Sequence, residues 1–158
     1  MHNIKLFLIL FFFVSNSLFA DENKSIHISN AWISEAPPNV YILAAYAELK
    51  NTSTETQTLV SITSPLFSMI EIHLSKIIDE TAKMEKQKSL IIPANDSVEF
   101  APGAYHLMLF SPETPMKAGD TAPMTFIFAD GSSKTIEAVV KKRNNHSHDH
   151  NHDHKNNH

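Results

Sequence analysis

Alternation of apolar and polar positions with a period of two recurs along most of this chain and predicts strands. It is clearest at Gly103-Ala104-Tyr105-His106-Leu107-Met108-Leu109-Phe110, where Tyr105, Leu107 and Leu109 share one face while His106 and Met108 share the other. Met69 to Ser75 repeats the pattern, with Ile70, Ile72 and Leu74 on a core face opposite Glu71, His73 and Ser75. Lys83 to Lys88 reads as a short polar strand in which Met84 shares its face with Lys86 and Lys88. Further strands are expected at Ile26 to Ile33, Val40 to Leu49 and Thr56 to Thr63, followed by Met124 to Ala129 and Lys134 to Val140, while Leu90 to Pro93 leads through Asn95-Asp96 and Val98 to Phe100 into the turn before His106. The Thr56 to Thr63 segment alternates only weakly. Turns fall at Asn51-Thr52-Ser53, Asp79-Glu80-Thr81 and Ala101-Pro102-Gly103, and Asp130-Gly131-Ser132-Ser133 joins the last two strands as a hairpin. Ser111 to Pro123, rich in proline and glycine, reads as a long loop. About eight or nine short strands without a helical period predict an all-β sandwich or Greek-key barrel.

Two segments stand outside this pattern. Residues 1–20 combine a short basic start, an unbroken apolar run from Leu6 to Val14 and a small residue at Ala20, the layout of a signal peptide cleaved after Ala20. The run is about half of the roughly 20 residues needed to cross a bilayer, so export without stable membrane insertion is expected. Residues 21–143 then form one domain, and 144–158 (NNHSHDHNHDHKNNH) hold no apolar residue and are expected to be a disordered His-rich tail.

The charge is mildly acidic, −4 with histidine neutral, and no basic block precedes the tail, which excludes a nucleic-acid footprint. Cysteine is absent, so a metal site must use nitrogen, oxygen or thioether sulfur. Four donors avoid the inferred core: His73, Met84, His106 and Met108. One histidine or methionine alone signifies surface or packing; two imidazoles and two thioethers together on polar faces do not. Soft, neutral donors of this kind favour Cu(I) over magnesium, calcium or thiolate-bound zinc. Imidazole binds deprotonated, so affinity is expected to fall on acidification. No nucleophile with a matching base, phosphate loop or carboxylate pair is recognisable, and a blue-copper carrier would need a cysteine, so binding and transfer are expected instead of catalysis.

The spacing of the donors is His73, ten residues, Met84, twenty-one residues, His106, one residue, Met108. In this the chain resembles the periplasmic copper chaperones of the PCu(A)C family, as it does in Ala45-Tyr46 to Asn51, Pro102 to Leu109 and Gly119-Asp120 through Gly131. The resemblance covers roughly Ile26 to Val140. It implies a cupredoxin-like β-sandwich that carries Cu(I) through the periplasm to cytochrome c oxidase assembly, particularly the CuA centre, with the oxidase's copper-bearing subunit or another copper assembly factor as partner. Many members carry methionine directly after the first histidine; this chain has Leu74, which the alternation turns towards the core. In the tail, His146, His148, His150, His152, His154 and His158 alternate with Ser, Asp and Asn, a composition suited to chelating Cu(II). The alternative function is a periplasmic metal buffer or resistance protein that sequesters copper or zinc without a dedicated client. A copper-dependent thiol reductase is disfavoured by the missing cysteine. A purely structural domain with incidental histidines would require Met84 in the core.

Overall fold

The computed structural model describes residues 25–142, so the expected signal peptide and His-rich tail lie outside the described residues. Ten strands follow one another among those residues: β1 Ile26–Ser34, β2 Ile42–Asn51, β3 Gln57–Thr63, β4 Phe67–Ile78, β5 Thr81–Gln87, β6 Leu90–Ile92, β7 Ser97–Phe100, β8 Tyr105–Pro112, β9 Thr121–Phe128 and β10 Ser133–Lys141. The fold is all-β, as expected. The sheet runs β5-β4-β8-β7-β2-β1-β10-β9-β3-β6 and β8 also pairs directly with β2. Its two halves fold over each other, bringing β3 against β4 and β6 against β2 across the core. Phe100, Phe126, Phe128, Ile33, Leu49, Leu59, Leu107 and Leu109 fill the space between them. Removing this apolar surface from water, at about 25 cal/mol per Å², is the main force holding a disulfide-free domain together.

Two bulges account for places where simple alternation fails. In β1, Ser29 pairs with Glu48 and Trp32 with Tyr46, so one extra residue is accommodated between them. Asn30 takes a left-handed φ of 53° there, a conformation asparagine tolerates better than most residues. Continuing the parity of Ile26 and Ile28 would have turned Trp32 inward. The bulge instead places it on the outer face, with its ring centroid 4.5 Å from that of Tyr46. A second bulge between Leu59 and Ser61 lets Leu59 and Ile62 both face the core while Val60 is exposed, which explains the weak alternation of that segment.

The stretch from Ser111 to Pro123 is less loop than its prolines imply. β8 continues to Pro112 and β9 begins at Thr121, because Pro112 lies opposite Phe67 and Pro123 opposite Glu137 in the ladders. Between β2 and β6, Asn51 is a buried polar staple. Its amide donates to the carbonyls of Glu55, Ile92 and Pro93 at 2.7, 3.2 and 3.1 Å, and its side-chain oxygen accepts from Ser53 N and Oγ.

Candidate metal centre

The donors are set by strand register. His73 on β4 lies directly opposite His106 on β8, and Glu71 lies opposite Met108. On the other side of β4, Lys86 of β5 faces His73 and Met84 faces Ser75. Because directly paired residues in an antiparallel ladder project to the same face, all four donors stand on one side of three adjacent strands. His73 and His106 form the centre, with ring centroids 5.9 Å apart and planes tilted by 39°. Met108 is displaced along β8 to one side of the histidine pair and Met84 along β5 to the other.

Local structure fixes each element. β8 is launched by a tight turn at Ala101–Ala104, closed by Ala104 N donating to Ala101 O at 3.0 Å. Gly103 supplies the required left-handed residue, with φ 83°. β4 and β5 form a hairpin whose two turn residues, Asp79 and Glu80, have φ of 50° and 62°; the left-handed pair gives the turn the twist that matches its strands. The hairpin runs past the start of β8, since the β4–β8 ladder ends at Leu74 opposite Tyr105 and Ser75 N still reaches Ala104 O. β5 is the edge strand, and Met84 on it is 65% exposed. That exposure rules out the structural reading that needed Met84 in the core.

His106 differs from the sequence picture in one respect. It occupies the polar face but is 7% exposed, one of two buried polar or charged residues among those described. Its Nδ1 lies 3.1 Å from the carbonyl of Ala104, which can only accept, so this nitrogen carries the proton in the bond. His73 is held from its own strand: Nε2 is 2.8 Å from Glu71 Oε2, while Lys86 Nζ donates to Glu71 Oε1. The hydrogen bond from Lys86, then that from His73, hold the Glu71 carboxyl below its usual range despite the opposing effect of desolvation. His73 Nδ1 is buried without a hydrogen-bond partner among the described residues. Glu71 was visible in the sequence only as a polar-face neighbour of His73; the hairpin register that brings Lys86 to it was not.

Of the remaining methionines of interest, Met69 shares the donor face but lies opposite Phe110, two residues before Glu71 on β4 and so further from the histidine pair. Met116 lines a cavity of about 970 Å³ formed around the β1–β2 and β8–β9 connections, with Tyr41, Leu43, Pro112 and Lys142 among its walls. None of the four donors lines that cavity. Leu74 is half-buried and outside the central core. The six tail histidines lie outside the described residues. Among the described residues no three His, Cys, Asp or Glu side chains cluster to hold a metal, so a centre built here has to include thioether sulfur.

Chemically, the arrangement offers two imidazoles and two thioethers beside the Glu71–Lys86 ion pair. Such a set suits a soft monovalent cation; hard divalent ions prefer oxygen donors.

The fold and sequence have relatives. Among solved structures, the domain is similar to the "Copper-bound PCuAC domain from PmoF2", with TM-score 0.65 and 21% identity over 75% of this chain and 94% of that one. It is also similar to the "Solution structure of CuI-DR1885" from Deinococcus radiodurans, with TM-score 0.59 and 25% identity over 82% of this chain and 83% of that one. These likenesses establish the cupredoxin-like sandwich. In sequence, the Leifsonia xyli subsp. xyli protein "Putative lipoprotein Lxx21020" is 32% identical over 117 residues, 73% of this chain and 69% of that protein. "Uncharacterized protein RP573" of Rickettsia prowazekii is 35% identical over 102 residues, 64% of this chain and 56% of that protein's length. Residues 26–140, from the first residue of β1 almost to the end of β10, match the family described as "Putative lipoprotein LpqE-like", and the chain belongs to this LpqE-like family.

Proposed function

We propose that this protein is an exported copper metallochaperone that binds Cu(I) through His73, Met84, His106 and Met108 and passes it on without chemical turnover. The observation that carries the reading is the placement of two imidazoles and two thioethers on one face of three adjacent strands, with the histidines directly paired. A set of neutral donors leaves the bound ion its single positive charge, and thioether sulfur favours Cu(I) over Cu(II) or zinc. The copper named for the PmoF2 domain and the Cu(I) named for DR1885 agree with this chemistry. The recipient is the copper-bearing subunit of cytochrome c oxidase during assembly of its CuA centre, or another assembly factor, and the compartment is the periplasm. Although the family is described as lipoproteins, these 158 residues contain no cysteine to which a thioether-linked lipid could be attached. The tail histidines His146, His148, His150, His152, His154 and His158 form a second, separate site that binds Cu(II).

The test is anaerobic Cu(I) titration against a chromophoric competitor, comparing the protein with its Met84→Ala/Met108→Ala variant and with a chain ending at Arg143. One tight Cu(I) per chain, kept on truncation and lost in the double variant, is the expected result. Tight binding that disappears with the tail instead would refute the thioether site and leave a metal buffer. Transfer to a purified oxidase copper domain then separates a chaperone from a store that holds its ion.

A further inference from the structure

We propose that Glu71 is a positioning residue that makes the histidine pair present unlike nitrogens to the metal, Nδ1 from His73 and Nε2 from His106. The inference rests on the copper-binding reading of the same site, but its first half concerns the metal-free protein alone.

Hydrogen-bond polarity carries the argument. Glu71 Oε2 lies 2.8 Å from His73 Nε2, and a carboxylate paired with Lys86 can only accept, so Nε2 carries the hydrogen. His73 Nδ1 is buried and faces no acceptor among the described residues. A second N–H there would be a buried donor with nothing to receive it, so Nδ1 holds a lone pair. His106 has the opposite arrangement. Its Nδ1 donates to Ala104 O at 3.1 Å, a carbonyl that also receives Ser75 N at 3.1 Å and is thereby fixed between β4 and β8. The free lone pair of His106 is on Nε2.

Each ring thus has one nitrogen engaged by the protein and one left to a ligand, and the engaged nitrogen differs between the two. An acceptor behind a ligating imidazole orients the ring and raises its basicity. For His106 the acceptor is backbone and cannot be altered by substitution. For His73 it is a side chain, itself steadied by Lys86 from the next strand. Glu71 also lies directly opposite Met108 in the ladder, so the residue that orients the histidine shares the donor face without being a donor to the ion.

Long-range proton–nitrogen NMR of the ¹⁵N-labelled full chain tests this, with His73 and His106 assigned from their Asn variants and Cu(I) added anaerobically. Before metal is added, His73 should show the Nε2–H tautomer and His106 the Nδ1–H tautomer. Loading Cu(I) should move the nitrogen resonances of His73 Nδ1 and His106 Nε2 and leave His73 Nε2 protonated. Glu71→Ala should mix the His73 tautomers and weaken Cu(I) by about 10- to 100-fold. Glu71→Gln, which keeps an acceptor oxygen, should restore both the tautomer and most of the affinity, with amide spectra reporting that each variant is folded. An Nδ1–H tautomer at His73 in the metal-free protein overturns the inference and leaves copper binding untouched. Loading through His73 Nε2, or a Glu71→Ala variant with unchanged tautomer and affinity, also overturns it. If the metal-free tautomers are as stated but Cu(I) moves neither histidine, the copper reading itself fails and the inference falls with it.

Discussion

Replacing Asn51 by alanine should cost the domain about 3 kcal/mol without touching the donor face. The Asn51 side chain is completely buried and joins the end of β2 to the following turn and to the end of β6. Alanine removes three donor contacts and the acceptor for Ser53 N and Oγ. A typical intramolecular hydrogen bond contributes about 1 kcal/mol net, and an acceptor left buried without a donor costs about 1–3 kcal/mol. Ile92 O is the buried acceptor here; Glu55 O and Pro93 O are part-buried and can recover water, which holds the total near 3 kcal/mol. A domain of this size has an unfolding entropy of about 0.25 kcal/mol/K, so the midpoint of thermal unfolding should fall by about 12 °C. Circular dichroism melts of the protein and the variant measure it directly. Asn51→Asp sharpens the test, because it retains an acceptor for Ser53 but turns a carboxylate towards three carbonyl oxygens. That carboxyl should titrate above its unfolded value, so the damage should be greatest at neutral pH and should lessen on acidification, as protonation restores one donor. A loss below about 3 °C for Asn51→Ala would refute the reasoning and show that water replaces the amide at little cost.

Met84→Ala should change stability by less than about 0.5 kcal/mol, because the side chain is exposed on an edge strand, yet weaken Cu(I) more than about 100-fold as a lost donor; melting and competitive titration of one sample separate the two effects. Glu80→Gly should stabilise the β4–β5 turn by about 0.5–1 kcal/mol, since Glu80 holds φ 62° that glycine adopts freely, and denaturant unfolding reads the gain. Asp130→Ala should destabilise the β9–β10 hairpin by about 0.5–1 kcal/mol at pH 7, where Asp130 Oδ1 accepts from Ser132 Oγ and N. Those bonds, Oγ first, lower the Asp130 pKa in the fold. A carboxyl depressed in this way stabilises fully above its unfolded pKa and loses the contribution as pH falls through the folded value. The difference between protein and variant should therefore shrink below about pH 4, as denaturant curves at pH 7 and in acid would report.

Much of this architecture was readable from alternation alone, and the reasons for the exceptions are specific. The faces of β4 and β8 were correct because neither strand is bulged where it carries a donor, so parity persists from core leucines to histidines. In β1 the same logic turns Trp32 the wrong way, since one residue at Asn30 reverses parity and no local pattern marks it. The proline-rich stretch after Phe110 hid the end of β8 and the start of β9, because Pro112 and Pro123 occupy ladder positions despite lacking N–H groups. The Glu71–Lys86 contact was not legible either. It joins residues fifteen apart whose meeting depends on the two-residue turn at Asp79 and Glu80, and a different turn length would have shifted the register.

The edge position of β5 bears on how an ion could leave. His73, His106 and Met108 sit on strands paired on both sides, whereas Met84 is carried by a strand with sheet on one side only, beyond which the hairpin projects. Edge segments open at lower free energy than interior ones, so a four-coordinate ion there would lose its Met84 bond first. An incoming thiolate or imidazole could take that coordination place before the other three bonds break. Release by stepwise substitution keeps the ion coordinated throughout, and its rate would depend on the recipient's concentration and on the mobility of one hairpin.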